Sequence, residues 1–501
     1  MHINEMASQQ LPRTLALKYK NKYLRYIHQD VENLHGVLQF SGDDIVSPYT
    51  KLHVEPAANG GNNGGLGLVH IRSAYNNKYL RRADEVHWWI VAGADEPVEY
   101  KSLWSCTLWE PQVVGVDSNN NKVLLRLLHV QLGHYAMPLS ANAFHSCLFA
   151  YQKNPDTRTN EDVFSVTDWE SLVIFPKFVA FKGDNGHYLT PKSINRNPHL
   201  QFSASGLIDP SVGHEVFTAG DGSVRIKPTH ARNFWRRSRT NDWIWTDTED
   251  ATNKDSDTLF WPVKLEAADH NNTDNINVVA LRNLGNNKYS KRFTTGSKTI
   301  SCLCANVPTI TVEAHLAVEE PVLSRKISDI GFRLTDARIY DKSDVVVATG
   351  KAENRTKEPT NEIIRLVYLD TSASTWNSVV DPVSFSSLIP TTIISATLFI
   401  VDEKDNVEVV GDQFTGVYEW GKARTSQTTI VKEFPVVVKP MTRVKVSLIA
   451  TRGSCDVPFF YTQKDSLVSI ENKMVPYSKE GGVYTGVCFY NLKHKEEEEP
   501  L

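Results

Sequence analysis

The chain has 501 residues, of which 41% are hydrophobic and 22% charged, and its formal net charge is -4. These values are typical of a globular protein, and the slightly acidic balance excludes the strongly basic surface that nucleic-acid recognition requires. At roughly 150 residues per domain, the length allows about three domains.

The first residues, Met1 to Gln10, are polar and lack the apolar core of a secretory signal peptide. No stretch of the sequence approaches the ~18 consecutive apolar residues of a membrane-spanning helix. We therefore expect a cytoplasmic or nucleocytoplasmic protein.

A short phrase built around an aromatic residue recurs six times, at intervals of between 46 and 56 residues. A strand-like run such as Leu15–Lys18 or Val69–Arg72 precedes each copy, and a second apolar run closes each lobe. A fixed period of this length indicates a repeat architecture, in which the recurring aromatic residue supports the interior of each lobe. The six aromatic residues are Tyr23, Tyr79, Tyr135, Tyr188, Phe234 and Tyr289.

The repeats fall into two groups of three, separated by a polar, turn-rich stretch at residues 155–167 that is predicted to be a linker or the start of a short connecting helix. A four-stranded lobe of this size cannot bury its apolar face alone, so three lobes are expected to pack around one core. The sequence therefore predicts two tandem β-trefoils, at residues 1–154 and 168–308.

The pattern changes after Pro308, where longer strand-like runs rich in Val, Ile and Thr begin. Examples are Ile363–Leu369, Val444–Ala450 and Val483–Tyr490. Residues 309–492 are predicted to form a third domain, an elongated β-sheet domain, so that the fold class is all-β. Residues 493–501 form a charged tail that is expected to be solvated.

The six cysteines show no pairing or metal-binding pattern. Only Cys302 and Cys304 are close in sequence, and no second half of a zinc motif accompanies them. We expect reduced, structural cysteines, no metal site and no cofactor. The other four are Cys106, Cys147, Cys455 and Cys488.

Long phrases of the first 308 residues resemble the amaranthin-type plant agglutinins. Among them are Asn21–Tyr26, Asn77–Leu80, Trp104–Leu108 and the unbroken run Leu127–Tyr135. The resemblance implies two β-trefoils per chain and a homodimer that binds a galactose–N-acetylgalactosamine disaccharide. It also implies a sugar site shared between the first trefoil of one subunit and the second trefoil of its partner.

In such agglutinins the sugar-contacting loop follows the second copy of the repeat phrase, which here is the loop Arg82–Trp89. Val86 stands where the amaranthin loop has an asparagine, and Trp88 where it has a tyrosine, so the disaccharide specificity does not carry over. The equivalent loop of the second trefoil is Ser238–Trp243. The candidate carbohydrate-binding residues are Arg82, Asp84, His87 and Trp88 in the first loop and Asn241, Asp242 and Trp243 in the second.

A sugar site needs an aromatic face for the apolar side of the ring and planar groups for its hydroxyls. Asp84, His87 and Trp88 offer both within five residues. The alternative is structural: one tryptophan of the Trp88–Trp89 pair belongs to the core, and Asp84 caps a turn.

The C-terminal part resembles the aerolysin-like module that is sometimes fused to these agglutinins. The similar phrases are Thr415–Gly421, Val438–Pro440 and Val457–Phe459. The resemblance implies ring-shaped oligomers in which each subunit inserts one amphipathic hairpin into a membrane. The candidate hairpin is residues 379–410, although its alternation is interrupted by prolines. Its candidate membrane-insertion residues are Ser384, Phe385, Ile393 and Ile394.

The sequence lacks a Gly-x-Ser-x-Gly elbow, a Walker loop and a His-Glu-x-x-His motif, and we expect no enzyme activity. The first hypothesis is a lectin that targets a pore-forming, aerolysin-like β-domain to glycosylated membranes in plant defence. Its partners would be glycans, a membrane and copies of itself in a homodimer or higher oligomer, with no nucleic acid. The alternative is a non-perforating cytosolic stress or signalling lectin, whose C-terminal module only oligomerises or binds partners.

Overall fold

The computed structural model describes residues 11–29, 34–58, 66–117, 122–250, 252, 254–265, 277–380, 391–395, 398–400, 407–409, 416–467 and 474–501. These residues form β-strands and short 3-10 turns, with no α-helix among them. None of their helical segments is long and apolar enough to cross a membrane. They divide into two compact units. The first holds the described parts of residues 1–326, 379–391 and 463–478, and the second holds those of residues 327–378, 392–462 and 479–501.

The first twelve strands pair into one antiparallel sheet that has the three-lobed arrangement predicted for a trefoil. Alternate side chains such as Leu15, Leu17 and Trp109 point into a shared core, which each lobe contributes to. The strands are β1 (Thr14–Tyr19), β2 (Lys22–Tyr26), β3 (Leu38–Gly42), β4 (Leu52–Pro56), β5 (Val69–Ser73), β6 (Tyr79–Arg82), β7 (Ile90–Ala94), β8 (Leu108–Asp117), β9 (Lys122–His129), β10 (His134–Ala141), β11 (Phe144–Gln152) and β12 (Phe164–Asp168).

The last of these strands overlaps the end of the stretch predicted as a linker. β12 pairs with β1 and β9, with Leu17 opposite Val166 and Leu125 opposite Phe164. Phe164 is fully buried in the trefoil core, and its apolar side chain explains why the chain returns to the sheet here. The first trefoil therefore ends at Asp168, where a 3-10 turn at Trp169–Ser171 begins.

The next twelve strands repeat the arrangement around a second core, which includes Phe181, Trp235 and Phe260. The final strand of this sheet pairs with its first strand and with β21, so the second trefoil extends past the predicted boundary at residue 308. The strands are β13 (Phe178–Lys182), β14 (Tyr188–Ile194), β15 (Asn197–Ala204), β16 (His214–Thr218), β17 (Val224–Pro228), β18 (Phe234–Arg237), β19 (Ile244–Thr248), β20 (Phe260–Leu265), β21 (Asn277–Asn283), β22 (Lys288–Thr295), β23 (Thr299–Val307) and β24 (Leu316–Glu319).

Longer strands follow the trefoils, as the sequence predicts. Eight pair in the order β31-β28-β25-β33-β34-β27-β32 with β26 on β33, and β29 pairs with β30. The strands are β25 (Val322–Phe332), β26 (Arg338–Asn354), β27 (Thr360–Ser378), β28 (Thr391–Ser395), β29 (Leu398–Ile400), β30 (Val407–Val409), β31 (Gly416–Glu419), β32 (Arg424–Val438), β33 (Thr442–Leu467) and β34 (Met474–Pro500). The all-β prediction is confirmed.

Period-2 alternation determines which face of the long β27–β32 ribbon is buried. Ile364 and Leu366 of β27 lie in a core with Val446 of β33, whereas Ile363 and Val367 on either side of them are exposed. The two strands pair in unbroken register from residue 360 to residue 374.

The C-terminal charged residues, predicted to form a solvated tail, extend β34, and most of their side chains are exposed. Glu498 accepts a hydrogen bond from Lys439 Nζ at 2.8 Å, and the Leu501 backbone N–H donates to the Met441 carbonyl at 3.0 Å. Lys445 of the neighbouring strand β33 lies 3.5 Å from Glu497, and such cross-strand charge pairs explain how an acidic run is tolerated in a strand.

Part of the predicted insertion hairpin, including Ser384 and Phe385, lies outside the described residues. Ile393 lies in β28 and is fully buried in a core with Trp376 and Phe459. Ile394 lies in the same strand, opposite Val417 of β31. The six cysteines are buried free thiols.

Candidate functional site

The first candidate loop is the tip of the β6–β7 hairpin. Arg82 pairs with Ile90 at the strand ends, and the Ala83 N–H donates to the Trp89 carbonyl at 2.7 Å, which closes the loop. Residues 84–87 between them are exposed, and Val86 is 77% accessible.

Asp84 organises the loop through its carboxylate. Oδ1 accepts the backbone N–H groups of His87 at 2.7 Å and Val86 at 2.8 Å, and Oδ2 contacts the His87 ring Nδ1 at 2.8 Å. The hydrogen bonds from His87, with that from Val86, lower the pKa of Asp84 to about 2. Both side chains are more than half exposed, at 52% for Asp84 and 63% for His87. Asp84 therefore caps the turn and still presents a charged edge to solvent.

The two tryptophans of the loop are each half-buried, on different supports. Trp88 packs on the edge of the trefoil core, and its ring centroid lies 5.0 Å from that of His134. Trp89 stacks on Phe144 with a centroid distance of 4.5 Å and an interplanar angle of 13°. Trp88 thus has a fixed ring beside the Asp84–His87 pair in the chain, as an aromatic sugar platform requires.

Arg82 is only 7% exposed, and its Nε donates to the Trp104 carbonyl at 3.2 Å. The neighbouring Arg81 guanidinium lies over the Trp104 ring, 4.8 Å from its centroid. Trp104 therefore adjoins the candidate loop, although the sequence reasoning did not select it. The sequence feature that could have identified Trp104 is the Trp104–Leu108 phrase, which was used only as part of the resemblance to the agglutinins.

The second candidate loop is the tip of the β18–β19 hairpin, and it closes in the same way. The Ser238 N–H donates to the Trp243 carbonyl at 2.8 Å. Trp243 is buried, with its ring near those of His199 and Phe293. Asn241 is exposed, and its Oδ1 lies 3.4 Å from the Trp243 backbone N–H.

Asp242 is held by three side chains of its own trefoil. Its carboxylate accepts from Arg237 Nη1 at 2.7 Å, Asn286 Nδ2 at 3.1 Å and Lys288 Nζ at 3.3 Å. Burial alone would raise the pKa of Asp242, but the hydrogen bonds from Arg237, Lys288 and Asn286 lower it below its ordinary value. This carboxylate is a structural group.

Backbone hydrogen bonds show which residues of the two loops are equivalent. The Trp88 carbonyl accepts from the Ala150 N–H, and the Asp242 carbonyl accepts from the Ala305 N–H. Asp242 therefore occupies the position of Trp88. Asp242 forms an ion pair with Lys288, the first residue of β22. At the equivalent place in the first trefoil, the Trp88 ring contacts the ring of His134, the first residue of β10.

The arginines that end β6 and β18 also differ. Arg237 donates to Asp257 Oδ1 from Nε at 2.9 Å, in addition to its bond with Asp242. The residue equivalent to Asp257 in the first trefoil is Cys106, since each precedes a Thr-Leu-aromatic sequence. Among the described residues, no carboxylate lies within ion-pair distance of Arg82. Among these residues, the arginine at the first loop therefore has no carboxylate partner. The equivalent arginine at the second loop, Arg237, has two, Asp242 and Asp257.

A family model described as Agglutinin domain matches the chain twice, at residues 9–168 and 173–319. No curated protein sequence gives a significant match. Among solved structures, the chain is similar to the lamprey immune protein, with 12% identity, 66% of this chain and 91% of that chain covered, and a TM-score of 0.31. It is also similar to an aerolysin-like protein of Bombina maxima, with 15% identity and a TM-score of 0.24. The match covers 35% of this chain and 99% of that protein. A third is the parasporin-2 toxin of Bacillus thuringiensis, described as recognising cancer cells, with 14% identity and a TM-score of 0.21. The match covers 35% of this chain and 74% of that toxin.

Proposed function

Because the chain belongs to the agglutinin-domain family, we propose that it is a carbohydrate-binding lectin whose first trefoil holds the principal sugar site. The observation that supports this assignment is the difference between the two equivalent loops. The first loop exposes Asp84 and His87 beside the half-buried Trp88, whereas the second uses Asp242 in internal hydrogen bonds. The first loop thus combines exposed charged groups with a half-buried tryptophan, whereas in the second loop Trp243 is buried and Asp242 is held internally, which leaves Asn241 as an exposed polar group.

In this proposal the apolar face of a sugar ring stacks on Trp88, and sugar hydroxyls donate to the free edge of the Asp84 carboxylate. The bond between Asp84 and His87 holds both groups in place before the sugar arrives, which reduces the entropy lost on binding. The resemblance to amaranthin-type agglutinins supports glycans of the galactose and N-acetylgalactosamine type, and a homodimer or higher oligomer in which two weak sites act together.

The same proposal assigns the C-terminal part to membrane action. The phrases that resemble aerolysin-like modules, and strands as long as the 27 residues of β34, support a pore-forming type of module. The trefoils would concentrate it on glycosylated membranes from a cytoplasmic or nucleocytoplasmic store, as a plant defence protein does. No catalytic step is part of this function.

A glycan array probed with the intact chain tests the lectin assignment. We expect binding to glycans with terminal galactose or N-acetylgalactosamine, and a loss of roughly tenfold or more in affinity for the best glycan in Trp88→Ala. Asn241→Ala, which changes an exposed residue of the other loop, is the matched control and should bind as the parent does. A Trp88→Ala protein that melts normally and binds equally well would refute the site.

Dye release from vesicles that carry the best glycolipid tests the membrane part. We expect release together with oligomers that appear only when liposomes are present. If no release occurs at any pH or after any activating treatment, the pore assignment fails while the sugar assignment stands.

One observation favours the second candidate function, a lectin that does not perforate membranes. Ile393, a candidate insertion residue, is fully buried in a core with Trp376 and Phe459. To insert, it would have to give up its packing in that core. If Ile393 leaves its core when the protein releases dye from vesicles, the non-perforating function is excluded.

A further inference from the structure

The outer face of the β27–β32 ribbon, in the second compact unit, exposes a group of aliphatic side chains. Ile363, Val367 and Leu369 of β27 are between 55% and 67% exposed, and Val431 and Val437 of β32 are 41% and 63% exposed. Single exposed aliphatic residues are normal on a protein surface, but a contiguous group on one flat face indicates an interaction surface.

Strand register arranges this face in rows across the ribbon. The middle row is charged, because Arg365 lies opposite Glu433, with its Nε 4.0 Å from Oε1 of that carboxylate. The outer face therefore has apolar side chains on both sides of a central charge pair. From one end to the other, the rows are Asn361 with Val437, Ile363 with Pro435, Arg365 with Glu433, Val367 with Val431, and Leu369 with Thr429.

The opposite face of the ribbon is covered by other strands of the same unit. Ile364 and Leu366 pack against β26, where a Cβ at Gly350 would lie 2.6 Å from the first side chain and 2.7 Å from the second. The edge is poorly suited to a partner strand, although β32 ends the described sheet. Pro435 lacks the N–H that a further strand would need, and Lys432 places a charge beside it. The outer face is therefore the surface of the ribbon that best suits a partner.

The central charge pair determines how two copies of this face can fit together. The side chains of Arg365 and Glu433 are 66% and 62% exposed, so their contact within one chain contributes little to stability. When two sheets pack face to face with aligned strands, β27 of one copy can lie over β32 of the other. Arg365 of each copy then meets Glu433 of the other, and Val367 meets Val431. Placing β27 over β27, centred on the same row, would bring arginine onto arginine, so charge complementarity favours the first arrangement.

We propose that this face binds a second copy of the chain and forms a two-fold dimer, in which the aliphatic rows are in contact and two Arg365–Glu433 pairs cross the interface. Nine residues of extended strand span about 30 Å, so this interface is at the small end of specific ones, and we expect a dissociation constant on the order of 10 µM. The dimer does not rest on the lectin assignment, and it is separate from the oligomers proposed on membranes.

Sedimentation equilibrium of the full chain, without liposomes or glycans and over about 1–100 µM, tests the dimer. The parent should show a monomer–dimer equilibrium. Arg365→Glu alone and Glu433→Arg alone each place like charges across the interface and should weaken self-association roughly tenfold or more. An equimolar mixture of these two variants should dimerise again, because each contact across the interface then joins opposite charges. Such recovery is not expected of misfolded chains.

Two further variants separate this face from the rest of the ribbon. Lys432→Glu is the matched control, since it makes the same charge change as Arg365→Glu at a residue opposite Leu366, on the other face. It should leave the dissociation constant within about twofold of the parent. Val367→Thr combined with Val431→Thr keeps the shape of both side chains, and should weaken the dimer roughly tenfold while the melting temperature stays unchanged.

A parent that stays monomeric at about 100 µM would overturn the proposal, and so would a mixture of the two charge variants that stays monomeric. A dimer that none of the variants weakens would show that the contact lies elsewhere on the chain, which also overturns it. The same holds if the parent binds glycan-free phosphatidylcholine vesicles and the double threonine variant does not, because the face would then hold lipid.

Discussion

The hairpin that follows the second repeat phrase of each trefoil ends in an arginine and closes through the same backbone hydrogen bond. In the second trefoil Arg237 reaches Asp242 and Asp257, and Lys288 adds a further charge. In the first trefoil Arg82 reaches only the Trp104 carbonyl among the described residues, and Trp88 replaces Asp242. The backbone of the duplicated loop is retained, while a few side chains decide whether its polar groups stabilise the fold or face solvent.

The largest expected effect is on the stability of the second trefoil. Arg237→Ala would leave the buried Asp257 carboxylate, 3% exposed, with Arg239 as its remaining guanidinium partner, and should lower the free energy of unfolding by about 1.5–3 kcal/mol. Arg82→Ala, the equivalent change, removes one hydrogen bond to a carbonyl and should cost about 1 kcal/mol. Urea unfolding of both variants measures the difference, and equal losses would show that the two arginines are equivalent after all.

The next effect is on glycan binding and should have the opposite asymmetry. Asp84→Ala removes the cap of the first loop and a sugar acceptor, and we expect glycan affinity to fall roughly tenfold. Asp242→Asn should leave glycan affinity within about twofold of the parent, since that carboxylate already accepts three internal hydrogen bonds. Surface plasmon resonance on the best array glycan compares the two. A larger loss in Asp242→Asn would move the sugar site to the second trefoil.

The first loop should also have a distinct acid response. The folded-state pKa of Asp84, about 2, lies below its ordinary value of 3.8, so the ionised carboxylate stabilises the loop above pH 3.8. That contribution is lost as the pH falls from 3.8 through about 2. NMR titration should show the Val86 and His87 amide signals moving with a midpoint near pH 2, and Asp84→Asn should abolish this step. A midpoint near 3.8 would mean that the hydrogen bonds do not form in solution.

The smallest effect concerns the exposed end of the second network. Lys288 is 41% exposed, and its 3.3 Å contact with Asp242 is partly screened by water. Lys288→Met should therefore lower the free energy of unfolding by no more than about 1 kcal/mol, and less at 1 M salt. A loss comparable to that of Arg237→Ala would show that Lys288, and not Arg237, holds Asp242.

Much of the fold follows from local pattern. Leu15 and Leu17 alternate toward one core, and Ile364 and Leu366 alternate toward another, as period-2 apolar spacing requires. Five of the six repeat aromatics are buried, and the sixth, Tyr289, is half-buried. Strand boundaries were harder to predict from the sequence, since nothing in the polar stretch before Phe164 shows that the chain is about to rejoin the sheet.

The position of the candidate site in the chain could be predicted, but the contacts that its residues make could not. Resemblance placed the loop at Arg82–Trp89, and the sequence allowed Asp84 either to cap a turn or to face a ligand. The structure shows the cap and leaves an exposed edge, so both descriptions apply. It could not be foreseen that Asp242 is occupied, because its partners Asn286 and Lys288 are more than forty residues away in the chain.

The amino-acid sequence by itself determined the two trefoils, because six lobes with apolar faces too small to bury alone must combine in threes around shared cores. It also determined the all-β character of the remainder, through strand propensity and alternation. Only the tertiary structure decided which of the two duplicated loops has free polar groups and that the charged C-terminus joins a strand. Those outcomes depend on ion pairs and backbone hydrogen bonds between distant residues, and such contacts leave no periodic trace in the sequence.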